Sequence, residues 1–140
     1  MLVNRTEFRV RYGETDQMGI AHHAVYPLYF EMGRTELFRQ IGYPYGEMEK
    51  MGIIMPLNEL KVKYINPTHY DDLLIVETTI TNFSPVKVVF SYRIIDLVGK
   101  LFTTGETTLV CVHKNTGKPG RLPLDIYTMI NSIFSDGNAL

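Results

Sequence analysis

Between Glu14 and Tyr26 the chain reads Glu-Thr-Asp-Gln-Met-Gly-Ile-Ala-His-His-Ala-Val-Tyr, a stretch dense in groups that can do chemistry. A carboxylate such as Asp16 can take a proton from water or attack an electrophilic carbonyl directly. Free backbone N–H groups at a helix start, helped by the helix dipole, can hold the negative charge that develops on such a carbonyl oxygen. By position that amide is His23's, with Gly19 allowing a ligand to approach closely. Each residue also has a plainer use: Asp16 as a helix cap, Gly19 as a turn residue, His23 as a capping group. His22 and His23 raise the prospect of a histidine mechanism or a metal. Adjacent side chains at a helix start are expected to diverge, however, and no further His, Cys, Asp or Glu set has ligand spacing. No metal is expected.

The flanking elements must position this stretch. Phe8, Val10 and Tyr12 alternate with Arg9 and Arg11, the period of a strand with one buried face, and Gly13 ends it. From Tyr26 a helix of about four turns is expected, with Pro27 in its first turn and Gly42 as its stop. Its apolar stripe runs through Tyr29, Phe30, Gly33, Leu37 and Ile41, widened by Leu28, Met32 and Phe38. Glu31, Arg34, Glu36, Arg39 and Gln40 are left for the polar side, with Glu31 paired to a neighbouring base. Gly33 implies close packing of this helix on a sheet. Tyr43 to Met51 reads as a short helix or an ordered loop.

Strand patterns follow over Glu59–Tyr64, Leu73–Phe83, Lys87–Asp96 and Leu101–His113, with a hairpin at 97–100 and a bulge or bend at Gly105. A loop spans 114–120 and a helix Pro123–Phe134. Antiparallel hairpins after one buried helix indicate α+β architecture, a sheet wrapped round that helix, in a single domain over 1–140.

The bulk properties narrow the function. Fourteen basic against fifteen acidic side chains give a formal net charge of −1, no footprint for nucleic acid or an anionic membrane. No apolar run approaches the ~20 residues of a membrane helix, and the N-terminus carries no signal-peptide pattern. The single cysteine, Cys111, excludes an intrachain disulfide and suits a reducing cytoplasm.

The spaced series Tyr12-x-Glu14-Thr15-Asp16-x-x-Gly19-x-x-x-His23-x-x-Tyr26-x-x-Tyr29-Phe30-Glu31-x-x-Arg34, followed by Pro56, Tyr64-x-x-Pro67 and Tyr70-Asp71-Asp72, resembles the hot-dog-fold acyl-CoA thioesterases of the 4-hydroxybenzoyl-CoA thioesterase family. It covers about residues 5 to 130. The resemblance implies a hot-dog fold, and a homodimer joined edge to edge through its sheets with sites at the interface, often assembled into a homotetramer. It implies hydrolysis of a short- to medium-chain or aromatic acyl thioester, with coenzyme A part of the substrate and no separate cofactor; acyl carrier protein is the other possible carrier. Asp16 takes the position of the catalytic carboxylate, and Gly19, His23, Tyr26 and Lys87 fall at substrate-binding positions.

There are departures from the pattern. Glu14 stands where many relatives have Asp, a supporting carboxylate of longer reach. Val25 replaces the asparagine usual before the motif tyrosine, removing donors and an acceptor. Lys87 alone is basic after the second long strand, where some relatives carry a cluster for coenzyme A phosphates. Tyr29, Met32, Met48, Met51 and Met55 could adapt round an acyl chain or simply fill the core. Two rival readings remain: a β-hydroxyacyl thioester dehydratase or hydratase using His22 or His23 with Glu31, and an acyl-thioester-binding protein without turnover.

Overall fold

The computed structural model describes residues 1–136. In chain order it contains strand β1 (Asn4–Arg9), a 3-10 turn (Tyr12–Glu14), helices α1 (Tyr26–Gln40) and α2 (Tyr45–Lys50), and strands β2 (Ile53–Ile54) and β3 (Leu57–Tyr64). Then come β4 (Leu73–Phe83), β5 (Lys87–Ile95), β6 (Leu101–Val110), β7 (Val112–His113), β8 (Lys118–Pro119) and helix α3 (Leu124–Asp136). An antiparallel five-stranded sheet runs β1-β4-β5-β6-β3, and a small one runs β2-β7-β8. The large sheet packs on α1, the hot-dog arrangement of a sheet rolled round one helix.

Helix α1 starts with Pro27 in its first turn. It ends where Gly42 turns to φ +91°, with Gly42 N–H bonded to Arg39 O and Tyr43 N–H to Phe38 O. These two bonds satisfy orphan carbonyls in a Schellman motif, for which glycine's freedom at positive φ is required. Phe30, Leu37 and Phe38 are fully buried, each contributing about 1.5–3 kcal/mol by leaving water.

The sheet and the helix approach each other by omitting side chains. A Cβ on Gly33 would overlap Thr78 Oγ1 of β4, which bears out the close packing read from that glycine. Gly105 plays the converse part. It stays in register, opposite Val62 and Tyr92, and is neither a bulge nor a bend. A Cβ there would overlap the Phe30 ring, which instead lies flat on Tyr92 at 4.5 Å. The register shifts fall elsewhere, between Ile80 and Asn82, Ile94 and Ile95, and Leu57 and Glu59.

Other expectations need correcting. The first strand stops at Arg9, paired with Leu73 at the start of β4; Val10 still exchanges backbone bonds with residues 71 and 72, and the pairing ends there, where Asp71 turns to φ +68°. Val10 remains buried, whereas Tyr12 begins the 3-10 turn and is exposed. Leu28 and Met32 are exposed rather than part of the stripe, while Arg34, assigned to the polar side, is buried. Its charge is held by Glu31 at 3.7 Å, and Tyr92 and Tyr45 lie close enough to favour the cation despite burial. The third long strand breaks at Cys111, and residues 118–119 of the expected loop form β8. The 97–100 turn closes as expected, Asp96 N–H bonding to Lys100 O with Gly99 at φ +90°.

Candidate active site

The 14–26 stretch is held by ties to three parts of the fold. Glu14 is its anchor. Its carboxylate accepts hydrogen bonds from Arg11 N–H at 2.9 Å, Arg11 Nε at 2.8 Å and Tyr29 Oη of α1 at 2.9 Å. Burial would raise its pKa, but the Arg11 and Tyr29 bonds and the Arg11 charge outweigh burial and hold it below the usual carboxylate value. Burial and the adjacent Glu14 carboxylate push Tyr29 far up, so it stays a neutral donor. Glu14 O also accepts the His22 N–H at 2.8 Å, so one residue sets both ends of the loop.

Within the loop Asp16 N–H bonds to Ile20 O and Gly19 N–H to Asp16 O. Gly19 sits at φ +76° with nothing near its missing Cβ, so backbone conformation, not space, requires glycine. Asp16 Oδ1 accepts the Met18 N–H at 2.8 Å. That is a local Asx turn, and Asp16 does not cap α1. The cap residue is Val25, with helical backbone angles and no side-chain cap bond; its side chain packs against the core. Among the described residues Asp16 Oδ2 has no hydrogen-bond partner.

The turn before α1 presents His23. Ala21 N–H bonds to Thr68 O, Val25 N–H to His22 O, and Ala24 N–H to His22 Nδ1. Among the described residues no group accepts the His23 N–H, while the His23 carbonyl accepts Tyr64 Oη–H at 2.6 Å. The His22 and His23 rings do not diverge as expected; they lie together, centroids 4.2 Å apart and tilted by 31°, both exposed. Among the described residues no group of three or more His, Cys, Asp and Glu is placed to hold a metal ion.

A cavity of about 410 Å³ opens here, lined by Asp16, Met18, Ile20, Ala21, His23, Tyr26 and residues 64–67. The structure thus brings Asp16, His23 and Tyr26 together on one cavity. Tyr26 is a buried wall whose hydroxyl meets Thr68 Oγ1 at 2.9 Å, and its ring abuts Tyr64 edge to face. Gly19 lies in the Asp16 loop but does not line the cavity, and Lys87 starts β5 away from it. None of Tyr29, Met32, Met48, Met51 and Met55 lines it either; the methionine present is Met18. Sequence reasoning passed over Met18, Ile20, Ile65 and Asn66. The Tyr64-x-x-Pro67 pattern was the available signal, since it brackets the opposite wall.

An antiparallel sheet rolled round a helix, with Asp16 and His23 lining one largely apolar cavity at the helix start, defines a hot-dog domain. The chain belongs to the thioesterase-like superfamily, which its residues 10–130 match. It is 39% identical over 119 residues to the putative acyl-CoA thioesterase YneP of Bacillus subtilis, covering 85% of this chain and 86% of the relative. To the acyl-CoA thioester hydrolase YbgC of Escherichia coli it is 31% identical over 122 residues, covering 87% and 91%. The crystal structure of DHNA-CoA thioesterase from Staphylococcus aureus superposes with a TM-score of 0.90 at 34% identity, covering 99% of this chain and 97% of that one. No described helix is long and apolar enough to cross a membrane.

Proposed function

We propose that this protein hydrolyses acyl-CoA thioesters to a free carboxylic acid and coenzyme A. The observation that carries this reading is the meeting of Asp16 and His23, whose N–H has no acceptor among the described residues, on one largely apolar cavity. The thioester oxygen lies against the His23 amide, which stabilises it as charge develops. Asp16 Oδ1 is anchored to Met18 N–H, leaving Oδ2 as the reacting atom. In one route Oδ2 takes a proton from water as the water oxygen bonds to the carbonyl carbon. The tetrahedral adduct then expels the thiolate, which receives that proton. In the other, Oδ2 itself bonds to the carbonyl carbon, the C–S bond breaks, and water opens the resulting anhydride. Single turnover in ¹⁸O-water identifies the second route where water adds at the Asp16 carboxyl carbon, which puts label into Asp16, and hydroxylamine trapping of the acyl-Asp16 anhydride identifies it where water adds at the acyl carbon.

The acyl group is short- to medium-chain or aromatic, consistent with an apolar wall of Met18, Ile20, Ile65 and Tyr26. The carrier is coenzyme A in preference to acyl carrier protein, although a chloroplastic relative from Arabidopsis thaliana is an acyl-acyl carrier protein thioesterase. We also propose at least a homodimer, formed through β3. Among the described residues this edge strand pairs only with β6, and it leaves Leu57, Leu60 and Tyr64 exposed. An apolar unpaired edge is unstable against association. Lys87 would then serve the coenzyme A phosphates from a neighbouring chain. The buried free Cys111 suits a cytoplasmic setting.

The test is thiol release from acetyl-, butyryl-, octanoyl-, palmitoyl- and benzoyl-CoA by wild type and Asp16→Asn. Turnover on at least one substrate, lost in the variant, supports the reading. Tight acyl-CoA binding with no thiol release overturns it in favour of a binding protein.

A further inference from the structure

Asp16 and the His23 amide sit on different pieces of local structure, the first on a laced loop and the second on the turn into α1. One buried residue behind the cavity is bonded to both pieces. On the loop side, Thr15 pairs with Ala21 and Ile20 with His69 in isolated antiparallel bridges. Asp16 N–H donates to Ile20 O at 2.9 Å, and Ala21 N–H to Thr68 O at 2.8 Å. Residues 15–16, 20–21 and 68–69 thus form three short backbones laced side by side, with Thr68 in the outer one. That outer segment is fastened to the end of β1 in turn. Val10 N–H donates to Asp72 O at 3.2 Å, and Asp71 N–H to Val10 O at 2.8 Å.

On the helix side, Thr68 Oγ1 and Tyr26 Oη share a hydrogen bond at 2.9 Å. Tyr26 is the first residue of α1, directly after the turn that carries His23. Thr68 is 0% exposed and Tyr26 3%, and among the described residues neither hydroxyl has another partner. Breaking such a pair from one side is costly, because the surviving hydroxyl is left dry. Thr68 does not line the cavity, whereas its neighbour Pro67 and both its partners, Ala21 and Tyr26, do. Its carbonyl therefore holds the loop of Asp16, and its hydroxyl holds the helix start that follows His23.

Both reacting groups must meet one carbonyl, Asp16 on the side of its carbon and the His23 N–H at its oxygen. Rate depends steeply on that spacing, since a misplacement of about 1 Å can cost on the order of a hundredfold. We infer that Thr68 is a positioning residue for the hydrolysis, its hydroxyl bond to Tyr26 fixing the His23 turn relative to Asp16. This rests on the acyl-CoA reading above and deepens it. Thr68 acts through its partners, so its loss weighs on the transition state, where alignment counts, and little on substrate binding.

The experiment measures kcat and KM by thiol release, on the best acyl-CoA of the panel. It compares wild type, Thr68→Val, Thr68→Ser, Tyr26→Phe and the double variant Thr68→Val/Tyr26→Phe, each with a thermal melt. Thr68→Val is expected to lower kcat about tenfold while KM changes by less than about twofold. Thr68→Ser keeps the hydroxyl and is expected to retain kcat. Tyr26→Phe keeps the ring on the cavity and should match Thr68→Val. The double variant should fall no further, because both changes break the same bond. The melts separate alignment from folding. Each of Thr68→Val and Tyr26→Phe strands a buried hydroxyl and melts lower; the double variant strands none and recovers its melt, yet its kcat stays low. Recovery of kcat together with the melt in the double variant, an unchanged kcat in Thr68→Val, a loss confined to KM, or a kcat for Thr68→Ser no higher than for Thr68→Val each overturns the assignment. Wild-type turnover would leave thioester hydrolysis standing in all four cases. Absence of thiol release by wild type from every acyl-CoA overturns the hydrolase reading and this inference with it.

Discussion

Tyr64 donates its phenolic hydrogen to the His23 carbonyl across 2.6 Å, joining the end of β3 to the turn that opens α1. The bond clamps the oxygen side of the His23 residue, while its N–H has no acceptor among the described residues. Tyr64→Phe removes the hydroxyl and retains the ring that meets Tyr26 edge to face at 5.3 Å. The expected result is a fall in kcat of roughly three- to tenfold through loss of alignment. Because the residue is exposed, stability should fall by no more than about 0.5–1.5 kcal/mol. Steady-state kinetics beside a urea melt measure both. A loss of stability without a change in kcat would assign the bond to the fold alone.

Asp16→Asn is expected to lower turnover by a factor on the order of 100 or more. Asparagine keeps an oxygen for the Met18 N–H, so the Asx turn survives and the loss reports chemistry. Thiol-release kinetics together with an unchanged melting curve establish this. Equal turnover in the two proteins makes Asp16 structural.

The acid limb of stability should depend on Glu14. Its folded pKa lies below the ordinary value of 4.5. Its contribution is therefore fully present above the unfolded pKa and is lost as pH falls through the folded pKa. Urea melts from pH 7 downward should show wild type losing stability below about pH 4.5, and Glu14→Gln losing less over the same range. At neutral pH the variant should be the weaker, since Arg11 no longer faces a charge. Parallel curves for the two proteins would remove Glu14 from the acid response.

Gly105→Ala should cost about 1–3 kcal/mol, because the new methyl meets the Phe30 ring in a packed core. Phe30→Leu opens that space, so the double variant should be more stable than the sum of the two single losses. Additive losses would show that the ring and the strand do not compete for the same volume.

How much of this was legible in the sequence follows from which forces act locally. The stripe of Tyr29, Phe30, Gly33 and Leu37 was readable because a helix with one apolar side repeats at its own period. The alternation through β4 and β5 was readable for the same reason. Tyr12 continues the alternation of β1 yet leaves the strand, because the facing chain turns at Asp71 (φ +68°) directly after its bonds with Val10 and runs no further alongside. Arg34 looked like a surface residue; its local partner Glu31 would suit either position, and the distant Tyr45 and Tyr92 are what favour the cation once buried. Asp16 and His23 could be picked out by residue type and spacing. Asn66 could not, since its orientation is set by Leu101, thirty-five positions away, and nothing local signals that bond.

Gly33 and Gly105 give the helix and the sheet one notch each, filled by Thr78 and Phe30 from opposite sides. Like a key cut on both edges, α1 can seat at one depth and one rotation only. The turn before α1 inherits that fixed seating, which locates the His23 amide. Substitution has little freedom at this joint and more at the exposed rim of the cavity, at Met18 and Ile65, which lie outside the packed seam between helix and sheet.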